Sequence, residues 1–408
     1  LSHFQQELDE AGCLNVRDLP APTLTNAISP IFDFDRWVVG YDQGTGRLWD
    51  NLKPALKAAT LMLTESCMLP WFIHLTCGHL TLDSMSSQIY LASCRDEHVP
   101  GGREDTLRNL HELGKVITIM FVPHNYQASV YGVTYRRRES VKWASEYYAS
   151  DFPPIPDRYR GNNRARPCIA MASGFQEFFL HGFQAAPPAQ RYRMSFLFVE
   201  TLLHEVAHAY WYHLDRSNME PLWSRHEKKA ELGYSWETMT FGRISNPIGG
   251  DVKNCQVLLS FREEKYSGER DRQRALRTVL GRDGSKMNFT RVSHFQGQFN
   301  WVTNPEVRGY NWFGSSSSDH DQNTVAVVHA IPMRWIVQWF SEAAWNIKRA
   351  AWRDDRTYSP PSLGQTFLLL YQEQDGIASL HIPDNPRIDA DPYLQTVRSQ
   401  AEYMHLYD

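Results

Sequence analysis

Residues 196–211 constrain the fold more than any other stretch, because they combine a long apolar run with several ionisable side chains at its centre. Apolar residues recur along this run at helical spacing, at Phe198, Leu202, Val206 and Ala209. The periodicity predicts a buried α-helix. A buried helix rarely carries several ionisable groups together unless they have partners, so we expect these groups to bind something.

The central residues are His204, Glu205 and His208, which form the pattern HExxH. Because each residue of an α-helix turns about 100°, the two histidines lie about 40° apart and can both direct a ring nitrogen at one metal ion. Glu205 follows the first histidine, where its carboxylate can take a proton from a metal-bound water. The pattern predicts a zinc-binding helix. The alternative is a pair of core histidines that hydrogen-bond to their neighbours.

A length of 408 residues favours a compact enzyme of two subdomains over one small domain, and a composition of 42% hydrophobic and 13% aromatic residues excludes disorder. The net charge of −4 is small, so neither nucleic acid nor a membrane surface is expected as a partner. No apolar run is long enough to predict a membrane span, and the first residues lack the plan of a signal peptide, so we expect a cytoplasmic location. The cysteines are scattered without a CxxC pattern, which is typical of reduced thiols.

Periodicity elsewhere in the chain predicts further elements. Helices are expected at 52–68, ended by Pro70, at about 224–240, and after Pro332; strands are expected at 116–122, 129–135 and 167–172, sharing one sheet, and at 324–330. The polar stretch from 240 to about 320 is predicted as loops. The fold class is therefore α+β. We expect a small mixed or antiparallel sheet with helices in residues 1–190, a mostly helical part in residues 191–408, and the zinc-binding helix between them.

A second group of potential ligands lies between His74 and His79, where two histidines accompany Cys77. Their spacing matches no arrangement that would direct them at one ion from a helix face or a hairpin. We therefore predict ordinary core or loop residues here and no second metal site.

A catalytic zinc site needs three protein ligands and one open position, so the HExxH pair requires a third residue. His213 lies on the same predicted helix, about 140° round from His208, and points away from the shared ion. Asp215 and Glu220 belong to a connection that is too short to fold back comfortably. The remaining candidates, on the next predicted helix, are Glu227, Glu231 and Glu237.

Over residues 195–240, the HExxH pattern and the downstream glutamates resemble the gluzincin branch of the zincin metallopeptidases. The resemblance implies a zincin-like fold and a glutamate on the second helix as the third zinc ligand. Glu231 is favoured, because the small neighbours Ala230 and Gly233 allow close packing against the zinc-binding helix. Glu227 is the alternative ligand. Otherwise it accepts a hydrogen bond from a ligand histidine or lies in solvent at the helix start.

The same resemblance implies a zinc-dependent metallopeptidase that hydrolyses a peptide or peptide-like substrate. Zinc lowers the pKa of a water, Glu205 takes its proton, and the hydroxide attacks the peptide carbonyl. Residues 167–172 are the expected edge strand for the substrate. A further donor to the reacting oxygen is expected, without a ranking, among Tyr310, His320, His329 and Arg334.

Two other functions are compatible with the pattern. A zinc-dependent enzyme could act on a small molecule in a closed pocket rather than on a peptide, and the shape of the cleft would discriminate between them. A binding protein with a structural zinc, or with none, is the second possibility. The presence of Glu205 argues against it, because a structural site has no use for a base there.

Overall fold

The computed structural model describes residues 5–39, 45–98, 100–123, 131–141, 143–159, 165–216, 219–225, 227, 230–247, 255–265, 288–292, 324–356, 358–363, 368–372 and 377–382. Its α-helices are α1 (Gln5–Glu10), α2 (Thr45–Thr64), α3 (Leu69–Cys77), α4 (Pro100–Leu113), α5 (Ser173–Glu177), α6 (Pro188–Leu214), α7 (Leu232–Phe241), α8 (Met333–Val337) and α9 (Glu342–Asp355). Its strands are β1 (Trp37–Val38), β2 (His79–Leu82), β3 (Ile89–Ala92), β4 (Thr118–Phe121), β5 (Gly132–Tyr135), β6 (Cys168–Met171), β7 (Ile244–Pro247), β8 (Leu258–Lys265), β9 (Asn288–Val292), β10 (Thr324–Ala330), β11 (Leu368–Gln372) and β12 (Ile377–Ile382). The α+β class is confirmed.

The first sheet has the strand order β1-β4-β6-β5. Strand β4 pairs in parallel with β1 and β6, whereas β5 pairs antiparallel with β6 at the end of the sheet. The prediction that the strands near 116–122, 129–135 and 167–172 share one sheet is confirmed. The prediction that 167–172 is the edge strand is wrong, because β6 is paired on both sides and β5 lies outside it.

Helix α6 runs through the centre of the hydrophobic core, and most of its side chains are buried. It begins with Pro188 in its first turn, where the missing N–H costs no hydrogen bond, and it ends at Asp215, which is in the left-handed conformation with φ 54°. It packs against α2, α7, β5, β6 and α8. Strand β5 therefore lies beside the helix that carries the HExxH pattern.

The first part of α6 is held by a buried arginine, Arg193, which is 2% exposed. Its Nε donates to the carbonyl oxygen of Cys255 at 3.1 Å, and its Nη1 donates to that of Leu14 at 2.6 Å. Nη1 also lies 3.3 Å from Sδ of Met333. One guanidinium thus joins three segments that are distant in sequence to α6.

The second sheet is antiparallel, with the order β7-β8-β10-β11-β12-β9. The predicted strand at 324–330 is confirmed as β10. Three other strands, β7, β8 and β9, lie in the stretch that was predicted as loops, so that prediction is wrong, as is the mostly helical C-terminal part. An antiparallel strand can face water on one side, so a polar sequence such as that of β8 does not exclude a strand.

Several helix bounds differ from the predicted ones. Helix α2 ends before 68, and Pro70 lies in the first turn of α3 instead of terminating a helix. Pro332 precedes α8 as its N-terminal cap. The helix predicted at 224–240 begins only at Leu232. None of the helices in the described segments combines the length and the apolar composition that crossing a membrane requires.

Candidate metal centre

His204, His208 and Glu231 come together, as the sequence analysis predicted. Glu231 Oε1 lies 3.2 Å from Nε2 of His204 and 2.9 Å from Nε2 of His208. The potential ligand atoms of the three residues all lie within 4.8 Å of one another. Ligands about 2.0–2.1 Å from a tetrahedral zinc ion are separated by about 3.3 Å. The two distances from Glu231 Oε1 are therefore close to the separation of ligands in a zinc site.

Glu231 lies at the N-terminal cap of α7 rather than inside a helix, which corrects the predicted helix register. Its backbone is extended, with φ −150° and ψ 97°, and its side chain accepts a hydrogen bond from the N–H of Tyr234 at 2.5 Å. This bond satisfies one of the N–H groups that a helix start leaves unpaired. The oxygen Oε2 of Glu231 thus caps the N-terminus of α7, while Oε1 faces the two histidines.

The other ring nitrogen of each histidine is bound by a second carboxylate. His204 Nδ1 lies 2.7 Å from Oε1 of Glu237, and His208 Nδ1 lies 2.5 Å from Oε1 of Glu220. The second oxygen of Glu220 accepts from the N–H of Leu232 at 3.1 Å. If both carboxylates are ionised, each Nδ1 donates a proton, which leaves the lone pairs of Nε2 directed at Glu231.

Sequence reasoning missed both of these carboxylates. The connection before Glu220 looks too short in sequence to fold back, and Glu237 is predicted only as a candidate ligand. Glu227 is predicted to bind zinc, to accept from a ligand histidine or to lie in solvent at the helix start. It instead accepts from the N–H of Trp223 at 2.9 Å. Burial is the main reason that the pKa of Glu227 rises to about 7. No spacing rule in the sequence singles out Glu220.

The electrostatics of this group favour a positive charge among the imidazoles beside the carboxylate of Glu231. Burial opposes a charge on His208, but hydrogen bonds to Glu220 and Glu231 outweigh it and raise the pKa of His208 to about 10. Burial likewise opposes the charge on Glu231, yet His204 and His208 hold the pKa of this carboxyl well below its usual range. Two nitrogen lone pairs and a carboxylate oxygen that face one another repel unless a proton or a metal ion lies between them. The donor set of two imidazoles and one carboxylate suits zinc.

Glu205 is held by the edge strand. The hydroxyl of Thr134 on β5 lies 2.7 Å from Oε2 of Glu205 and 2.9 Å from its backbone carbonyl oxygen, and donates to these acceptors. Glu205 is not among the three residues that form the cluster of potential ligands. It follows His204 directly on α6, and the hydrogen bond from Thr134 on β5 fixes the orientation of its carboxylate.

Two glycines permit the close contacts around the site. A Cβ on Gly132 would lie 2.8 Å from Cγ of Glu205, and a Cβ on Gly233 would lie 2.4 Å from Cγ, Cδ2 and Cε1 of His204. Carbon atoms that are not bonded approach to about 3.5–4.0 Å. The strand and the start of α7 can therefore come this close to α6 only because a side chain is missing at each point.

The structure does not place the four predicted hydrogen-bond donors together at the candidate metal centre. Tyr310 and His320 lie outside the described residues, His329 lies on β10, and Arg334 donates to the carbonyl oxygen of Leu363 at 3.0 Å. Tyr234, which was not considered, lies against the site with its ring centroid 4.9 Å from that of His204. Burial raises the pKa of the Tyr234 hydroxyl, so it remains a hydrogen-bond donor at neutral pH.

No family model, curated protein or solved structure matches the chain.

Proposed function

We propose that the protein is a zinc-dependent metallopeptidase of the zincin type, similar to the gluzincins. One observation carries the proposal: the imidazoles of His204 and His208 and the carboxylate of Glu231 converge. Glu205, the residue after His204, is oriented by a hydrogen bond from Thr134. A structural zinc site would need a fourth protein ligand. The described residues offer three, which leaves a position for water or substrate.

In this proposal His204, His208 and Glu231 hold the zinc ion, and Glu220 and Glu237 fix the orientation of the two imidazoles. When bound, zinc supplies a Lewis acid that lowers the pKa of water and polarises a carbonyl group. Glu205 accepts a proton from the attacking water and then donates it to the amide nitrogen as the C–N bond breaks. Thr134 keeps the carboxylate of Glu205 in the orientation for both transfers.

The register of the first sheet supports a peptide substrate. The N–H of Ala172 donates to the carbonyl oxygen of Tyr131 at 2.8 Å, so Tyr131 and Val133 are the positions that hydrogen-bond to β6. Gly132 and Thr134 then direct their backbone groups away from β6. In the described part of the chain no other strand pairs with that side of β5. An extended peptide can add itself to such an edge next to Glu205, which favours a peptide over a small molecule in a closed pocket.

Tyr234 supplies the hydrogen-bond donor that the reaction requires. Its ring packs against His204, and Glu231, Glu237 and Glu205 are all close enough to act on the ionisation of its hydroxyl. When hydroxide adds to the peptide carbonyl, negative charge develops on the carbonyl oxygen, and a fixed donor stabilises it. We assign this role to Tyr234 in preference to Arg334, whose guanidinium is bound to Leu363.

The proposal is tested by metal analysis and by cleavage of a mixed-peptide library with the whole protein. We expect one zinc per chain and cleavage, no stoichiometric zinc in His208→Ala, and zinc without cleavage in Glu205→Gln, because only the base is lost. A wild-type protein that takes up no zinc would refute the metal site. Full zinc occupancy without any peptide cleavage would refute the peptidase, and unchanged turnover in Glu205→Gln would refute the role of Glu205.

A further inference from the structure

A buried histidine outside the candidate metal centre binds the segment that carries Glu220 and Glu231. His74 on α3 is 6% exposed. Its Nδ1 lies 2.9 Å from Oε1 of Glu97, and its Nε2 lies 2.9 Å from the backbone carbonyl oxygen of Trp223. A carbonyl oxygen can only accept, so Nε2 must carry a proton. Nδ1 faces Oε1 of Glu97, which also accepts from the N–H of Cys94 at 2.7 Å.

Trp223, whose carbonyl oxygen His74 binds, has further hydrogen bonds and ring contacts. Its N–H donates to Glu227, and its indole Nε1 donates to the carbonyl oxygen of Trp71 at 3.3 Å. The rings of Trp71 and Trp223 are stacked, with centroids 6.5 Å apart, and the ring of His74 lies 4.5 Å from that of Trp223. The indole of Trp71 also donates to Ser235 Oγ at 3.2 Å. Helix α3 therefore binds both the chain before Glu231 and the first turns of α7 after it.

The segment between α6 and α7 has little regular structure of its own. Among its described residues, Leu222 forms a bridge with β3, in which it donates to Ile89 and accepts from Leu91, both at 2.9 Å. Neither a helix nor a strand ladder spans the described residues from 219 to 231. Its described residues are held by the Leu222 bridge, by the indole of Trp211, whose Nε1 donates to the carbonyl oxygen of Met219 at 3.3 Å, and by the contacts of Trp223 with α3.

We propose that His74 and Glu97 form a positioning pair for the metal centre, which acts through Trp223 to hold Glu220 and Glu231 against the two histidines of α6. The inference rests on the proposed function, because it assigns the pair to a zinc site. Neither residue of the pair contacts a candidate ligand. They stabilise the arrangement that those ligands need before zinc binds.

Charge supports this assignment. Burial works against a charge on Glu97, but the hydrogen bond and the charge of His74 outweigh it and lower the pKa of that carboxyl. A buried, charge-assisted hydrogen bond is stronger than a neutral one, and losing one partner leaves the other unpaired. Here Nε2 binds the backbone three residues from Glu220.

Two matched substitutions separate the ring nitrogens. The amide of glutamine reaches about as far as Nε2 of histidine, and the amide of asparagine about as far as Nδ1. We therefore expect His74→Gln to keep the donor to Trp223 and His74→Asn to lose it. Thr76→Val is the control, because Thr76 lies on the same helix and contacts Tyr210 on α6 at 2.6 Å rather than the segment.

The measurements are the zinc dissociation constant by chelator competition and the hydrogen exchange of the Trp223 and Leu232 amides in the metal-free protein. We expect His74→Asn to weaken zinc binding by about tenfold or more, as loss of outer contacts does at metal sites, and to speed exchange at both amides. We expect Thr76→Val to stay within about threefold of the wild type. His74→Gln should weaken zinc binding less than His74→Asn, because it keeps the donor to Trp223 while leaving Glu97 unpaired.

Equal zinc affinities in the two folded His74 variants would overturn the inference. Equal losses of zinc affinity in both variants, in proportion to their lower thermal midpoints, would also overturn it. His74 would then have only a structural role. A wild-type protein that binds zinc but cleaves no peptide would refute the proposed peptidase and leave the positioning pair standing. A wild-type protein that binds no zinc would refute both.

Discussion

The close contact between Gly233 and His204 at the candidate metal centre predicts a severe effect of one methyl group. In Gly233→Ala the new Cβ would lie 2.4 Å from three ring atoms of His204, so either the ring or the start of α7 must retreat by about 1 Å to reach ordinary contact. The ring cannot retreat freely, because Nδ1 is bound to Glu237 at 2.7 Å and Nε2 faces Glu231 at 3.2 Å.

The expected cost has two parts. Overpacking of a tight core costs about 1–3 kcal/mol of stability. A metal site tolerates displacements of only about 0.5 Å, so a 1 Å shift should weaken zinc binding by at least about tenfold to a hundredfold, or about 1.4–2.7 kcal/mol. The loss of affinity should exceed what the loss of stability alone produces, because the strain falls on a ligand.

The assay is the zinc dissociation constant of Gly233→Ala by chelator competition, together with the thermal midpoint of the metal-free protein. Gly46→Ala on α2 is the matched control, since nothing lies within 4 Å of a Cβ there and alanine favours a helix. A folded Gly233→Ala variant with wild-type zinc affinity would refute the reasoning that the glycine is required by the ligand.

Three further predictions concern the residues around the metal face. Gly132→Ala should keep zinc but lose most peptide hydrolysis, because its Cβ would lie 2.8 Å from Cγ of Glu205; zinc content and turnover measured on one sample would show this. Tyr234→Phe should keep zinc and lower kcat by about a hundredfold or more with a smaller change in KM, since the lost bond forms only in the transition state; an unchanged kcat would exclude the hydroxyl. Glu227→Gln should remove a pH dependence of stability. Burial raises the folded pKa of Glu227 to about 7 from the ordinary value of 4.5, so its contribution is fully present below about pH 4.5 and lost as the pH rises through 7. Denaturant titrations at pH 5 and 8 should therefore show a smaller decline in the variant, by up to about 3 kcal/mol.

The sequence predicted the elements whose patterns are set locally. The helical periodicity of residues 196–211 gave α6, and the runs of β-branched and apolar residues gave strands β4, β5 and β6. The HExxH spacing placed His204 and His208 on one face, and the small neighbours of Glu231 indicated its close approach to α6. These inferences need only the geometry of one element and its direct packing partner.

The features that the sequence did not predict depend on the tertiary structure. The stretch before Glu231 contains good helix formers, yet the chain there is held by Trp223 and by the bridge of Leu222 to β3, so α7 begins only after the glutamate. The contacts of Glu220 and Glu237 with the imidazoles arise from how this segment and α7 pack on α6. Likewise, which strand forms the edge depends on the pairing partners of β5 and β6, and these are set by the tertiary structure.

The buried Arg193 implies an order in which the contacts of α6 can form during synthesis. The histidines meet Glu220 and Glu237 over sequence separations of 12 and 33 residues. Arg193, near the other end of the same helix, also contacts Met333 across 140 residues. Chains fold from the N-terminus as they emerge. The two histidines and their carboxylates can therefore come together before Met333 has been synthesised and can contact Arg193. Zinc taken up by a nascent chain would then meet a nearly complete set of ligands on a protein whose second sheet has yet to be translated.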